Sequence, residues 1–190
     1  FGLAASSVLA LLPVVAKDLL QGTALTYGLL LGGFGMGAII GVALNPHVRS
    51  VFSNETVVRA AFLVFAIGVS GVGLSHNLIL TMLNLLLTGM AWVLALSLFN
   101  VSVQLSSPRW VVGRALSLYQ TSVFGGMAVG SWIWGLIAEI HGVTTAFLIS
   151  AGLLCIGAAT GLWLKLSAFD TLDLDPSGKF SEPELRLDLR

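Results

Sequence analysis

The sequence predicts an all-α membrane protein with six transmembrane helices, and three observations carry that reading. The 190 residues are 56% hydrophobic and 9% charged, whereas a soluble domain carries about 25% charged residues to face water. Mean hydropathy is +0.96. The charges fall in short clusters that punctuate uncharged runs, and those runs have the length a bilayer demands. A hydrocarbon core about 30 Å thick takes roughly 20 apolar helical residues to cross.

Residues 1–16 form the first run, ended by Lys17 and Asp18. Residues 23–44 form the second, and Asn45-Pro46-His47-Val48-Arg49 reads as the loop after it. The uncharged stretch 60–108 is too long for one crossing. Ser75-His76-Asn77 divides it into a third span near 57–74 and a fourth near 78–103. The fifth span is 115–138 and the sixth 143–164. Six crossings place both ends of the segment on one side. That side collects Arg49, Arg59, Arg109, Arg114 and Lys165, against Lys17 alone on the other. An excess of Lys and Arg marks the cytoplasmic face, so both ends are expected inside. Lys17-Asp18, His76 and Glu139-Ile140-His141 are then expected in outer loops. Residues 1–165 thus read as a six-helix bundle. Residues 166–190, with six acids plus Pro176 and Pro183, read as a cytoplasmic acidic tail or linker. Such a composition cannot bury enough apolar area to fold alone.

Formal net charge is zero, which gives no basic face for nucleic acid. The single cysteine, Cys155, forms no intrachain disulfide and supplies no metal cluster, so no cofactor or metal is expected. The segment opens at Phe1, already apolar and without a basic region before it, and reads as part of a longer protein rather than as a signal peptide. An intramembrane enzyme would need a nucleophile and a base at membrane depth. Ser131 has no such histidine, because His76 and His141 fall in predicted loops, and no catalytic residue is assigned.

Glycines four apart let helix backbones approach closely. Gly28/Gly32, Gly33/Gly37, Gly37/Gly41 and Gly126/Gly130 have that spacing, and they serve either static packing or the sliding of one helix on another. The second and fifth spans are both glycine-rich, each the middle of a triplet, which suggests two three-helix units of opposite topology. Polar residues inside spans face a cavity or another helix. In the fourth span Asn84, Thr88, Trp92, Leu96 and Asn100 recur every four residues; in the fifth, Gln120, Phe124, Met127, Ser131 and Trp134 share a face. Asn84, Trp92, Gln120 and Phe124 are candidate residues for a solute pathway, with interhelical hydrogen bonding as the alternative. The sixth span, with only small hydroxyls and Cys155, suits a lipid-facing support helix. Arg49, Arg109 and Arg114 either hold topology or act as cytoplasmic gates through their planar donor forks.

Gln104-Leu105-Ser106-Ser107-Pro108-Arg109-Trp110-Val111-Val112-Gly113-Arg114-Ala115-Leu116-Ser117-Leu118-Tyr119-Gln120, continuing into Gly125-Gly126-Met127-Ala128-Val129-Gly130-Ser131-Trp132-Ile133-Trp134-Gly135, resembles the junction between helices ten and eleven of major facilitator superfamily transporters. More narrowly it looks like the transmembrane secretion effector branch, relatives of siderophore exporters such as the enterobactin exporter. Gly41-Val42-Ala43-Leu44-Asn45 followed by Arg49 is similar to the superfamily's cytoplasmic loop motif, with Asn45 in place of the acid and Pro46 intervening. The resemblance covers the chain as helices seven to twelve, the C-terminal half, built as a 3+3 inverted repeat. It implies a missing N-terminal six-helix half as partner, a central cavity lined by the first, second, fourth and fifth spans, and alternating access for a small-molecule solute. Export by proton antiport across a bacterial cytoplasmic (inner) membrane is what the branch suggests. A half-size, non-catalytic membrane module that acts as a dimer or with a partner subunit is the alternative.

Overall fold

The computed structural model describes residues 1–108 and 110–161. Its helices are α1 (Gly2–Val14), α2 (Ala24–Val51), α3 (Asn54–Leu74), α4 (Leu78–Ser106), α5 (Val112–His141) and α6 (Val143–Thr160), with no strand among the described residues. All six spans are long and apolar enough to cross a membrane, α1 together with the single π-helical turn, Val15–Leu19, that continues it. Leu20 N–H donates across that turn to the Val15 carbonyl at 3.1 Å. Lys17 and Asp18 therefore lie on the extended helix rather than ending it.

Local signals explain the ends. Ser53 opens α3 and accepts from the Thr56 N–H. Asn77 opens α4, its side chain accepting from the Ile79 and Leu80 N–H groups, so the break at Ser75-His76-Asn77 is a cap that satisfies donors left free at a helix start. Gly142 joins α5 to α6 with no intervening residue, at φ 88°, a conformation that glycine adopts without a Cβ penalty.

Helix lengths depart from expectation in one systematic way. Asn45, Pro46 and Arg49 are not loop residues; α2 runs through them to Val51. Likewise α4 continues to Ser106, and α5 extends from Val112 to His141, so Glu139 and His141 are helical rather than in a loop. At about 1.5 Å per residue these three helices are ~42–45 Å long, longer than a bilayer core of about 30 Å. The sequence reading stopped where charge began, but a helix needs no apolar residues once it has left the hydrocarbon. Much of the surplus lies at the end that carries Arg49, Arg59 and Arg114, called the basic end below. Lys165 and residues 166–190 lie outside the described residues.

Packing follows a pseudo-two-fold pattern. α2 packs chiefly on α4, and α5 chiefly on α1; α3 and α6 pack on each other; α3 also packs on α4, and α6 on α1. Exchanging α1–α3 with α4–α6 maps each of these pairs onto another or onto itself. This is the 3+3 inverted repeat, since an odd number of crossings per triplet reverses the second triplet's direction.

Both major seams depend on glycine. A Cβ added at Gly37 would fall on the Leu86 carbonyl oxygen, and one at Gly89 on that of Phe34. Gly41 continues the α2–α4 seam, where a Cβ would stand 2.8 Å from the Met90 carbonyl oxygen. In the α1–α5 seam a Cβ at Gly130 would collide with the Leu3 carbonyl and the Ser6 hydroxyl, while one at Gly126 would lie 3.7 Å from the Leu3 nitrogen. At Gly37, Gly41, Gly89 and Gly130 the obstructing atoms include a backbone carbonyl of the facing helix, so side-chain rotation alone does not relieve an added methyl.

Gly37→Ala and Gly130→Ala should each destabilise the full-length protein by roughly 1–3 kcal/mol, the usual cost of overpacking. Gly152→Ala, on an open side of α6 where nothing lies within 4 Å of the added Cβ, should leave the melting temperature unchanged or slightly raised. Thermal unfolding in detergent reads all three, and an unshifted Gly37→Ala would remove the seam from the account.

Candidate functional site

Hydrogen bonds between helices lock the seams. Trp134, fully buried on α5, donates from Nε1 to the Leu3 carbonyl on α1 at 2.7 Å. Ser150 on α6 donates to the Ala4 carbonyl at 2.8 Å and lies 2.9 Å from the Ser7 hydroxyl. A hydroxyl has one proton, so Ser7 is the donor in the second bond and the chain runs Ser7 to Ser150 to Ala4. Ser150 thus ties α6 to α1, a role that a small hydroxyl in an apolar helix does not announce in the sequence. Thr144 donates to the Gly73 carbonyl at 2.8 Å. At the other end of the same antiparallel pair, Arg59 Nη2 donates to the Gly161 carbonyl at 2.8 Å and pairs with Glu55. The α3–α6 pair is therefore clamped at both ends, and a cation at the C-terminus of α6 also suits its dipole. Arg59 had registered in the sequence only as one more positive charge.

The predicted pathway residues divide into two groups. Asn84 lies against α3, where its side chain fills the space a Cβ at Gly71 would need, and Thr88 fills the recess at Gly68. Asn84 Nδ2 donates to the Leu80 carbonyl at 2.9 Å, and Thr88 to that of Asn84 at 2.7 Å. Both polar groups are satisfied within their own helix and pack in the α3–α4 interface, a place the four-residue spacing did not reveal. Trp92, one turn on, has turned away from α3's glycines into an aromatic cluster. Its ring centroid is 5.6 Å from Phe1, 6.2 Å from Phe65 and 6.5 Å from Phe34, distances at which aromatic edges and faces attract.

Gln120 and Phe124 lie elsewhere, on the open side of α5. Only Gly130 and Trp134 of this 30-residue helix are buried, and Phe124 is 63% exposed. Ser117, Thr121 and Ser122 return their hydroxyl protons to carbonyls one turn back. Gln120 is exposed and makes no side-chain hydrogen bond among the described residues. The structure therefore does not bring Asn84 together with Gln120, and the amide that stands open is on α5.

The six predicted packing glycines also divide. Gly37, Gly41, Gly126 and Gly130 face the seams, whereas Gly28 and Gly32 have nothing within 4 Å of an added Cβ. The latter two line an apolar groove of about 590 Å³ with Leu29, Met36, Met82 and Leu86 on α2 and α4. Of the proposed gating arginines, Arg49 is half-buried on α2 and Arg114 exposed on α5, and neither forms an ion pair among the described residues. Arg109 lies outside the described residues. Asn45, in the position of the motif's acid, donates from Nδ2 to Ser97 Oγ at 2.8 Å and joins α2 to α4. At the opposite end, Asp18 and Glu139 border a cleft of about 580 Å³ between α1, α5 and α6. No three His, Cys, Asp or Glu side chains among the described residues come together as a metal site.

The family model described as transmembrane secretion effector matches residues 1–190. No curated protein and no solved structure matches the chain. The six apolar helices fit one half of a major facilitator fold, with its two triplets and their inverted pairing. By that match and that architecture, the chain is an integral membrane protein that belongs to the transmembrane secretion effector family of the major facilitator superfamily.

Proposed function

We propose that the chain is the C-terminal six-helix half of a secondary transporter that exports a small amphipathic organic solute by alternating access. Gln120 and Phe124 on α5 contribute to the solute's path. The observation that carries this reading is the open face of α5. An amide at membrane depth is costly against lipid and is retained where it meets a cavity or another protein surface. Gln120 stands about two turns inside α5, and Phe124 one turn further along the same side. An amide donor and acceptor beside an apolar ring suits a solute that is polar at one end and apolar at the other.

The membership of the family supports transport, and its description supports movement outward. Arg49, Arg59 and Arg114 at the basic end support a cytoplasmic placement of that end under the positive-inside rule. The remaining six helices would cover the open sides of α2 and α5, which in this half expose Leu25, Met36, Ile39, Leu118, Trp132 and Ile140. A half-size module that pairs with a second copy would cover the same faces. Intact mass distinguishes the two, because the first requires a polypeptide of about twice this chain's 19.9 kDa.

Efflux of a panel of amphipathic dyes from cells tests the path. Gln120→Ala and Phe124→Ala should each weaken transport of at least one dye about 2–12-fold at unchanged membrane abundance, the range that one lost hydrogen bond or contact supplies. Asn84→Ala, lodged against Gly71, should change thermal stability while leaving relative dye preference intact. Unaltered efflux by the Gln120→Ala, Phe124→Ala double variant would take α5's open face out of the pathway.

A further inference from the structure

α2 and α3 part at the turn through Phe52 and Ser53 and make little contact with each other, since both lean on α4. A gap therefore opens between them at the basic end. Its floor is a cavity of about 170 Å³ lined by Val48 and Phe52, by Val57, Ala60 and Val64 of α3, and by Met90 of α4. The one hydroxyl on its border, Thr56 Oγ1, is taken up by Ser53 at 2.8 Å. Water finds too few polar partners in such a site to be held there, whereas a hydrocarbon chain loses nothing by entering it.

Charge at the rim adds a second constraint. Glu55 is engaged by Arg59, whereas Arg49, half-buried and next in sequence to the lining residue Val48, forms no ion pair among the described residues. His47 flanks Val48 on its other side. An apolar slot thus opens one residue away from an arginine on the same helix, at the basic end. That combination suits a chain of methylenes that ends in an anionic headgroup such as a phosphate.

We propose that the slot between α2 and α3 holds an acyl chain of an anionic membrane phospholipid, with its phosphate on Arg49. The guanidinium fork matches phosphate oxygens bidentately. A zwitterionic headgroup fits less well, because its ammonium returns a positive charge to the side of Arg49. The lipid fills the angle between α2 and α3, where the protein supplies almost no contact of its own.

Native mass spectrometry of the detergent-purified full-length protein, titrated with phosphatidylglycerol or phosphatidylcholine of identical chains, tests the site. Phosphatidylglycerol should half-saturate at about fivefold lower concentration, the factor one basic residue near an anionic lipid supplies. Arg49→Gln should erase that preference. Ala60→Trp, which fills the slot from an exposed position, should weaken both lipids, while Ile67→Trp, exposed on α3 outside the slot, should weaken neither. Equal binding of the two lipids by the unaltered protein would overturn the proposal. So would a preference that survives both Arg49→Gln and Ala60→Trp, or displacement of the lipid by inorganic phosphate alone.

Discussion

Backbone-to-backbone contact across two glycine seams is the constraint on which the rest of this bundle depends. Within a bilayer, lipid tails are as apolar as leucine, so helices gain little from hiding apolar side chains from one another. What remains is dispersion at short range and hydrogen bonds between helices, and both require close approach. Gly37 and Gly89 supply it for α2 and α4, and Gly130 for α1 and α5. Once those axes are close, Trp134 reaches the Leu3 carbonyl and Asn45 reaches Ser97. Such bonds contribute about 0.6 kcal/mol each on average in membrane bundles, so they fix register more than they supply stability.

The two seams are related by the internal inverted symmetry, and that relation organises what is left exposed. Using one side of α2 and of α5 in a seam leaves the other side of each without a helix packed on it among the described residues. On α2 the open side carries Gly28, Gly32, Met36 and Ile39; on α5 it carries Gln120, Phe124 and Trp132. α3 and α6, clamped to each other at Arg59 and Thr144, brace the structure from a third direction. In the transporter proposed above, close-packed seams behind and open faces in front are the form that rocking of one bundle against another calls for.

The number and order of the helices were legible in the sequence because bilayer thickness imposes a length that composition displays directly. Helix ends were not, since Asn45 to Arg49 leave the apolar core while the backbone stays helical, and even Pro46 removes only one donor. Glycine spacing announced close packing but could not choose between two interleaved rows on α2. Gly33, Gly37 and Gly41 meet α4, while Gly28 and Gly32 do not, and only the neighbour's position decides that. Asn84 shows the same limit. Its spacing with Trp92 is that of one helix row, but the row drifts about 40° per step of four residues, enough to put Asn84 against α3 and Trp92 among the aromatic rings. Long-range bonds such as Ser7 to Ser150 leave no trace in any local pattern.

Rigidity of the seams is the central physical claim, and distance measurement between spin labels tests it most directly. Labels at the exposed positions Val42 on α2 and Leu87 on α4, and in a second sample at Leu9 on α1 and Leu136 on α5, would report on the two seams of the full-length protein in lipid bilayers. A single narrow distance distribution for each pair, unchanged when a transported solute is added, is the result that the seams predict. A broad or two-peaked distribution for either pair would show that the helices slide within the unit, and would contradict it.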